Sequence, residues 1–340
     1  MFFSDGFRKL PKVDLHVHLE GTITPEMAKR IASRNNVTPS SQLMDSSGEH
    51  FRWSSDGDAR HNLIAFLKAY DDATSVMKRR EDYTDITYDY LHRAAHEGCI
   101  YVEFFISADH GAMVGLDYKE MIAAIADGYE KAKNESGIEM RLISTCVRHY
   151  GPEAALKVAD TTRGYHHPLV TGFGMAGDEN AHTVADFRPA FMASGLAGRT
   201  AHAGEASGPE TVRQARDILQ VRRFGHMVRA IEDVKLMEEQ KSILAVPEVC
   251  VSSNIALKVY PDYKSHPLRE FFDYGLKVVL GSDDPSFFNT SIGREYKIAH
   301  DQFRFTETEL LQLSRNAIEE AFVDETTRSL LLDKIAAHKH

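Results

Sequence analysis

The sequence reads as a single (β/α)8 barrel with an elaborated helical insertion after its first strand. Short β-rich runs alternate with longer helical ones along nearly all of the 340 residues. Strict alternation implies parallel strands joined by helical crossovers. Eight such runs are present, the number that closes this barrel, a fold that often exceeds its typical ~250 residues through insertions. No Pro/Gly/Ser-rich linker divides the chain, so residues 1–340 are expected to form one domain.

Taken in order, the predicted strands are Lys12–Leu19, Cys99–Ser107, Met140–Arg148, Leu169–Gly177, Arg199–Ala203, Arg222–His226, Ile243–Ser253 and Lys277–Ser282. After the first strand a helix opens at Thr24, whose hydroxyl suits an N-cap, with Pro25 at the first helical position. The polar stretch Ser40–Arg60 follows, with the only tryptophan, Trp53, and then the helices His61–Arg79 and Asp82–Glu97. An excursion here would overhang the mouth of the barrel, where active sites of this fold lie. A lid and a solvated surface loop are both compatible with it. Further helices are predicted over Tyr118–Asn134, Ala181–Ser194, Pro209–Gln220 and Leu268–Tyr274; Pro152 and Pro209, each directly after a glycine, mark two helix openings.

Composition narrows the class. A hydrophobic fraction of 43% is ample for a core. No apolar run approaches the ~20 residues of a membrane span, so no membrane association is expected. The opening Met1–Lys9 lacks the layout of a secretory signal. Cys99, Cys146 and Cys250 fall inside apolar runs, which suggests buried free thiols and a cytoplasmic setting. A net charge of −10 argues against a nucleic-acid partner, whose phosphates call for clustered Lys and Arg. The oligomeric state has no signature here.

Five short motifs carry the chemistry. In the first strand, residues two apart share a face, so His16 and His18 point the same way and supply half of a zinc site. His202 and Asp283 are the candidates for the other half, and Glu205, three residues after His202, offers an acid/base group. His226 ends the sixth strand, Gly174–Glu179 the fourth, and Asp283-Asp284 the eighth, so a barrel brings all five motifs to one rim. A second His-x-His, His338-Lys339-His340, sits in a polar tail with no strand around it and is assigned no role. Asp71-Asp72 lies in a helical stretch and reads as a solvated face. His166-His167, before Pro168, reads as surface loop.

These motifs resemble the adenosine deaminase family within the amidohydrolase superfamily. The similarity rests on Lys12-Val13-Asp14-Leu15-His16-Val17-His18-Leu19-Glu20-Gly21, Met175-Ala176-Gly177-Asp178-Glu179, His202-Ala203-Gly204-Glu205, Phe224-Gly225-His226 and Ser282-Asp283-Asp284-Pro285. The resemblance implies one zinc ion held by His16, His18, His202 and Asp283. It also implies catalytic roles for Glu205, His226 and Asp284, and a contact of the Gly177 backbone with a 6-aminopurine; His18, Glu20 and Asp284 would also face the substrate. Physical reasoning leads to matching roles. Zinc lowers the pKa of bound water toward ~7. Near that water, His226 can take its proton or hold the hydroxide, and Asp284 can orient it. Glu205, partly buried, can hold a proton near neutrality and deliver it to ring N1.

Other zinc chemistries fit less well. The chain has no Cys-x-x-Cys for a cytidine-deaminase-type site. The end of the fourth strand carries no lysine of the kind that bridges two metals in related hydrolases. All expected ligands and the glutamate are present, which weighs against an inactive binding protein. For substrate, adenosine or 2′-deoxyadenosine, giving the inosine product and ammonia, is the first choice; free adenine or another 6-aminopurine is the alternative. Glu20 stands where adenosine-acting relatives often carry Asp, a length seen in relatives acting on adenine or modified nucleosides. Gly174 likewise replaces a frequent Asp. The stretch Pro285–Ser291 instead lacks the Tyr-Phe-Gly-Gly pattern associated with adenine deaminases.

Overall fold

The structure is a computed structural model that describes residues 5–338. Met1–Ser4 of the opening segment and Lys339 and His340 of the C-terminal motif lie outside the described residues. Eight parallel strands follow one another around the sheet in sequence order: β1 (Lys12–His18), β2 (Cys99–Ile106), β3 (Glu139–Val147), β4 (Val170–Ala176), β5 (Gly198–Ala203), β6 (Arg223–His226), β7 (Val246–Val249) and β8 (Val279–Leu280). Their residues are almost all buried, as strands covered on the outside by helices and filled on the inside by side chains must be.

Closure of the barrel happens at the functional residues themselves. Beyond β8 the chain stays beside β1 through a parallel bridge of Val17 with Asp283. There the His18 amide donates to the Asp283 carbonyl and the Asp283 amide to the His16 carbonyl, both at 2.8 Å. β8 is only two residues long because a side chain takes over from the ladder. The buried Asp14 carboxylate accepts from the Ser282 amide (3.2 Å), the Ser282 hydroxyl (2.6 Å) and the Tyr90 hydroxyl (2.5 Å). Asp14 thereby pins β8 to β1 and fixes the residue that precedes Asp283.

The predicted insertion after β1 is present as the helices Pro25–Asn35, Ala59–Thr74 and Arg80–His96. Thr24 caps the first by accepting from the Met27 amide at 3.1 Å. The 40–60 stretch is largely exposed but anchored through its aromatic residues. Phe51 stacks on Phe287 with ring centroids 4.4 Å apart, and Trp53 meets Phe66 and Phe288 edge-on, so it is fastened to the loop after β8. Gly151-Pro152 and Gly208-Pro209 both open helices, as expected.

Two predicted elements are shorter than the sequence suggested. The apolar run Ile243–Ser253 yields strand only over Val246–Val249, and the chain turns into the helix Val251–Ala256. The buried Glu295 carboxylate accepts from the Val251 and Ser252 amides at 3.1 and 3.3 Å, satisfying the first helical donors from another segment. The expected helix Ala181–Ser194 begins as a 3₁₀ turn over Val184–Phe187 and becomes α-helical only from Arg188. Pro189 can open a helix but cannot continue one.

Replacing Asp14 with Ala should strip the buried Ser282 and Tyr90 donors of their acceptor. Each orphaned group costs about 1–3 kcal/mol, so urea unfolding should show a loss of several kcal/mol. Tyr90→Phe removes donor and hydroxyl together and should cost about 1 kcal/mol. Equal losses in the two variants would show that Asp14 does not anchor the closure.

Candidate active site

All five motifs meet at the C-terminal rim of the barrel. The cavity there is lined by His18, Glu20, Gly177, His202, Glu205, His226, Asp283 and Asp284, while His16 lies against His202 and Asp283 and is wholly buried. Its outer wall comes from Leu63, Phe66, Leu67, Tyr70 and Asp71 of the helix Ala59–Thr74, so the insertion after β1 does cover the mouth. Asp71 is exposed, as the sequence suggested, and it also borders the cavity, 3.5 Å from both His110 Nε2 and the Tyr150 hydroxyl.

Four donor atoms lie close together at the rim, although the cluster whose donors all lie within 4.8 Å of one another is His16, His202, His226 and Asp283, with His18 joined to it through Asp283. His16 Nε2 and His18 Nε2 lie 3.1 and 3.3 Å from His202 Nε2, and 3.6 and 3.3 Å from Asp283 Oδ1. Atoms placed ~2.0–2.2 Å from one centre at tetrahedral angles are about 3.3–3.6 Å apart. The tautomers agree. His202 Nδ1 is 2.9 Å from the Met175 carbonyl, which can only accept, so Nδ1 carries the proton. His16 Nδ1 likewise donates to the Glu248 carboxylate at 2.7 Å. His202 Nε2 therefore turns its lone pair to His16 Nε2 at 3.1 Å, an arrangement that a shared cation, proton or metal, stabilises.

The charges point the same way. Burial works against charge on His16, yet Asp283 and Glu248 overcome it and raise the imidazole to about 9. Asp283 is held well below the usual carboxylate range despite its burial, by hydrogen bonds from His16 and His18. Burial, followed by repulsion from its histidine neighbours, keeps His202 neutral. The set draws positive charge to its centre.

The remaining residues surround that centre. His226 Nε2 lies 3.5 Å from Glu205 Oε2 and 3.9 Å from Asp283 Oδ2. Burial, and then the charge of Asp283, push the Glu205 and Asp284 carboxyls well above the ordinary range, so both hold protons readily. Glu205 Oε1 and Asp284 Oδ1 are buried without a hydrogen-bond partner. Asp284 reaches its place because residue 21 is glycine: a Cβ there would stand 1.9 Å from Asp284 Oδ1. Gly177, with φ +96°, turns the end of β4 through a conformation that favours glycine and presents backbone to the cavity. Glu20 is 1% exposed, and its Oε1 accepts from the Ser107 amide at 3.2 Å.

The family model described as adenosine deaminase matches residues 11–338. The chain belongs to the adenosine deaminase family. It is thus a metal-dependent hydrolytic deaminase of small purines. A protein of Sinorhizobium medicae named adenine deaminase is 43% identical over 326 residues, covering 95% of this chain and 97% of the relative. Among solved structures, an adenine deaminase from Arthrobacter aurescens superposes with a TM-score of 0.86 at 26% identity, covering 96% of this chain and 98% of that one. An amidohydrolase from Burkholderia ambifaria, solved with bound zinc, gives 0.83 at 25% identity over 99% of this chain and 96% of that one.

Sequence reasoning gave no role to Glu248, Asp14 or Glu179. Glu248 fixes His16, and Arg223 holds its carboxyl down at about 2 against the effect of burial. An acid inside the apolar run Val246–Val249 was a visible signal of a buried partner. Glu179 accepts from the Glu205 and Ser207 amides at 3.1 and 2.6 Å and so sets the loop that carries Glu205.

Glu248→Gln should therefore weaken metal binding by about 10–100-fold, the range for partners that orient a metal-binding His, in a zinc competition titration; unchanged affinity would dismiss the role. A pH effect follows from His226, which burial lowers from 6.5 to about 3 in the metal-free chain. Between those values the unfolded chain binds a proton that the folded one refuses. Stability of the metal-free protein should then fall as pH drops through that window, by up to ~1.4 kcal/mol per pH unit from this group. His226→Gln should flatten the slope measured by urea unfolding.

Proposed function

We propose that this chain deaminates free adenine, replacing the 6-amino group with oxygen to give the 6-oxopurine and ammonia. The carrying observation is its relationship over 95% of its length to a protein named adenine deaminase, at 43% identity. That relationship favours the second of the two substrate readings over adenosine. Glu20 supplies a physical reason. Free adenine carries an N–H where a nucleoside carries its sugar, and a buried carboxylate already holding one backbone amide is suited to accept it. Asp71, His110 and Tyr150, in contact with one another, also line the cavity and narrow the room left for a sugar.

In this reading residues 1–340 act as one catalytic unit, and His16, His18, His202 and Asp283 hold a single zinc ion. When bound, zinc makes a hydroxide-like nucleophile available near neutral pH. Glu205, held protonated by burial and the neighbouring Asp283, donates to ring N1, which breaks the aromaticity of the ring and opens C6 to attack. Asp284, whose Oδ1 lacks a partner within the protein, accepts a hydrogen bond from the attacking water and fixes its direction. His226 faces the same water beside Glu205. The Gly177 backbone meets the ring edge, and His18 and Phe105, stacked at 5.0 Å, form part of the wall against its face. The buried free thiols Cys99, Cys146 and Cys250 suit a cytoplasmic, reducing setting.

Ammonia release from adenine and adenosine by the zinc-loaded protein tests the substrate. Adenine should be preferred in kcat/KM by about 10⁴-fold, the scale on which a site built around a hydrogen bond rejects an analogue lacking it; equal or better turnover of adenosine would overturn the choice. Glu20→Ala should remove most of that preference. Asp283→Ala and His202→Ala should each lose the metal along with turnover. Glu205→Gln should keep the metal and lose about 10²–10⁴-fold in kcat. Loss of zinc from Glu205→Gln would instead make Glu205 a ligand.

A further inference from the structure

Behind His226, on the side away from the cavity, a chain of buried hydrogen bonds fixes which of its ring nitrogens carries the proton. His226 Nδ1 lies 3.1 Å from Asn254 Nδ2, and Asn254 Oδ1 lies 3.1 Å from His266 Nε2. His266 Nδ1 is 3.2 Å from the backbone amide of Leu268. All three side chains are buried, at 1%, 0% and 3% exposure. Sequence patterns gave no sign of this arrangement, because Asn254 and His266 belong to no motif.

The direction of the chain follows from its last member. A backbone amide can only donate, so His266 Nδ1 accepts and its proton must sit on Nε2, since an imidazole always carries at least one N–H. His266 Nε2 then donates to Asn254, whose carbonyl oxygen must face it. The amide of Asn254 cannot be turned around, because two donors would meet. Asn254 Nδ2 is left to donate to His226, and His226 Nδ1 must accept. Burial lowers His266 to about 3, which keeps it neutral and the chain directional at working pH. The backbone of Asn254 is itself fixed, its main-chain carbonyl accepting from the Val259 and Tyr260 amides at 2.9 and 3.2 Å.

We propose that Asn254 and His266 are positioning residues that hold His226 as its Nε2–H tautomer, so that the ring offers the reaction centre a hydrogen-bond donor and neither a metal ligand nor a base. The sequence left two roles open for His226, taking the proton of the attacking water or holding its oxygen. The relay selects the second. It also gives His226 a reason to stay out of a metal's coordination although it clusters with His16, His202 and Asp283 within 4.8 Å: its Nε2 lone pair is occupied by a proton. Asp284, whose Oδ1 lacks a partner within the protein, remains the group that accepts a hydrogen bond from the attacking water.

The inference rests on reading this rim as the reaction centre, but the tautomer can be measured whatever the substrate proves to be. Selective ¹⁵N labelling of histidine, with the His226 signals assigned by their loss in His226→Asn, reads the tautomer directly in the full chain, with and without zinc. Wild type should show His226 protonated on Nε2 and unprotonated on Nδ1 in both states. In Asn254→Asp the carboxylate has no N–H to give, so His226 should move its proton to Nδ1 or become doubly protonated. The kcat should fall about 10–100-fold, the range for removal of a partner that orients an active-site imidazole, with zinc content and KM little changed. His266→Phe should reproduce the loss, and His266→Gln, which restores a donor at the same position, should recover most of it. A wild-type His226 protonated on Nδ1 would overturn the proposal, as would an Asn254→Asp protein with unaltered tautomer and rate. Loss of the ¹⁵N pattern together with zinc would assign Asn254 to the fold instead. Failure of the substrate assignment alone would leave the tautomer result standing.

Discussion

The Arg223 guanidinium, buried inside the barrel, is the constraint on which the site depends. It donates to Glu103 and Glu248, each at 2.7 Å, and to the Leu15 and Glu320 carbonyls. Glu248 in turn accepts from Thr200 and from His16 Nδ1. Buried charge is costly unless paired and fully hydrogen-bonded, and breaking such a pair costs ~3–5 kcal/mol. The network is therefore a rigid object, and the orientation of His16 is set by charges on β2, β6 and β7 before any ligand arrives. His202 is fixed through the Met175 carbonyl of β4, and Asp283 through its ladder with β1. Three of the four converging donors are thus held by strands other than their own.

Backbone strain completes the arrangement. His226, Met227 and Asp283 have φ of 61°, 58° and 59°, values that side-chain-bearing residues seldom adopt. Such residues cost of the order of 1–3 kcal/mol each and persist where surrounding structure over-determines them. At the end of β8 the bend lets Asp283 and Asp284, which would alternate in a straight strand, both border the cavity, and at the end of β6 His226 reaches it. The Asp14–Ser282–Tyr90 pin and the Asn254–His266 relay sit directly behind these bends and hold them in place.

Much of this was legible in the sequence, for identifiable reasons. Alternating β and helical runs gave the barrel, because parallel strands buried on both faces read as short apolar segments. The His-x-His pair, His202, Glu205, His226 and Asp283-Asp284 were legible because each ends a strand, and this fold gathers strand ends at one rim. Glu248 and Asp14 were harder: each sits within an apolar strand, where an acid signals a partner without saying which. Asn254 and His266 were not legible at all, since twelve positions separate them and their contact depends on where β7 gives way to a helix, the boundary the sequence placed wrongly. The place of Asp71 beside the cavity was hidden for a related reason. Its helix is amphipathic, and nothing local shows that its outward face borders a cavity.

One ion held by His16, His18, His202 and Asp283, with His226 outside its coordination, is the arrangement to be seen in crystals of the zinc-loaded protein by anomalous diffraction at the zinc edge. One peak per chain is expected, ~2.0–2.2 Å from the three Nε2 atoms and Asp283 Oδ1, with His226 Nε2 beyond bonding distance. A peak bonded to His226 in place of His18, or a second metal at the rim, would contradict it.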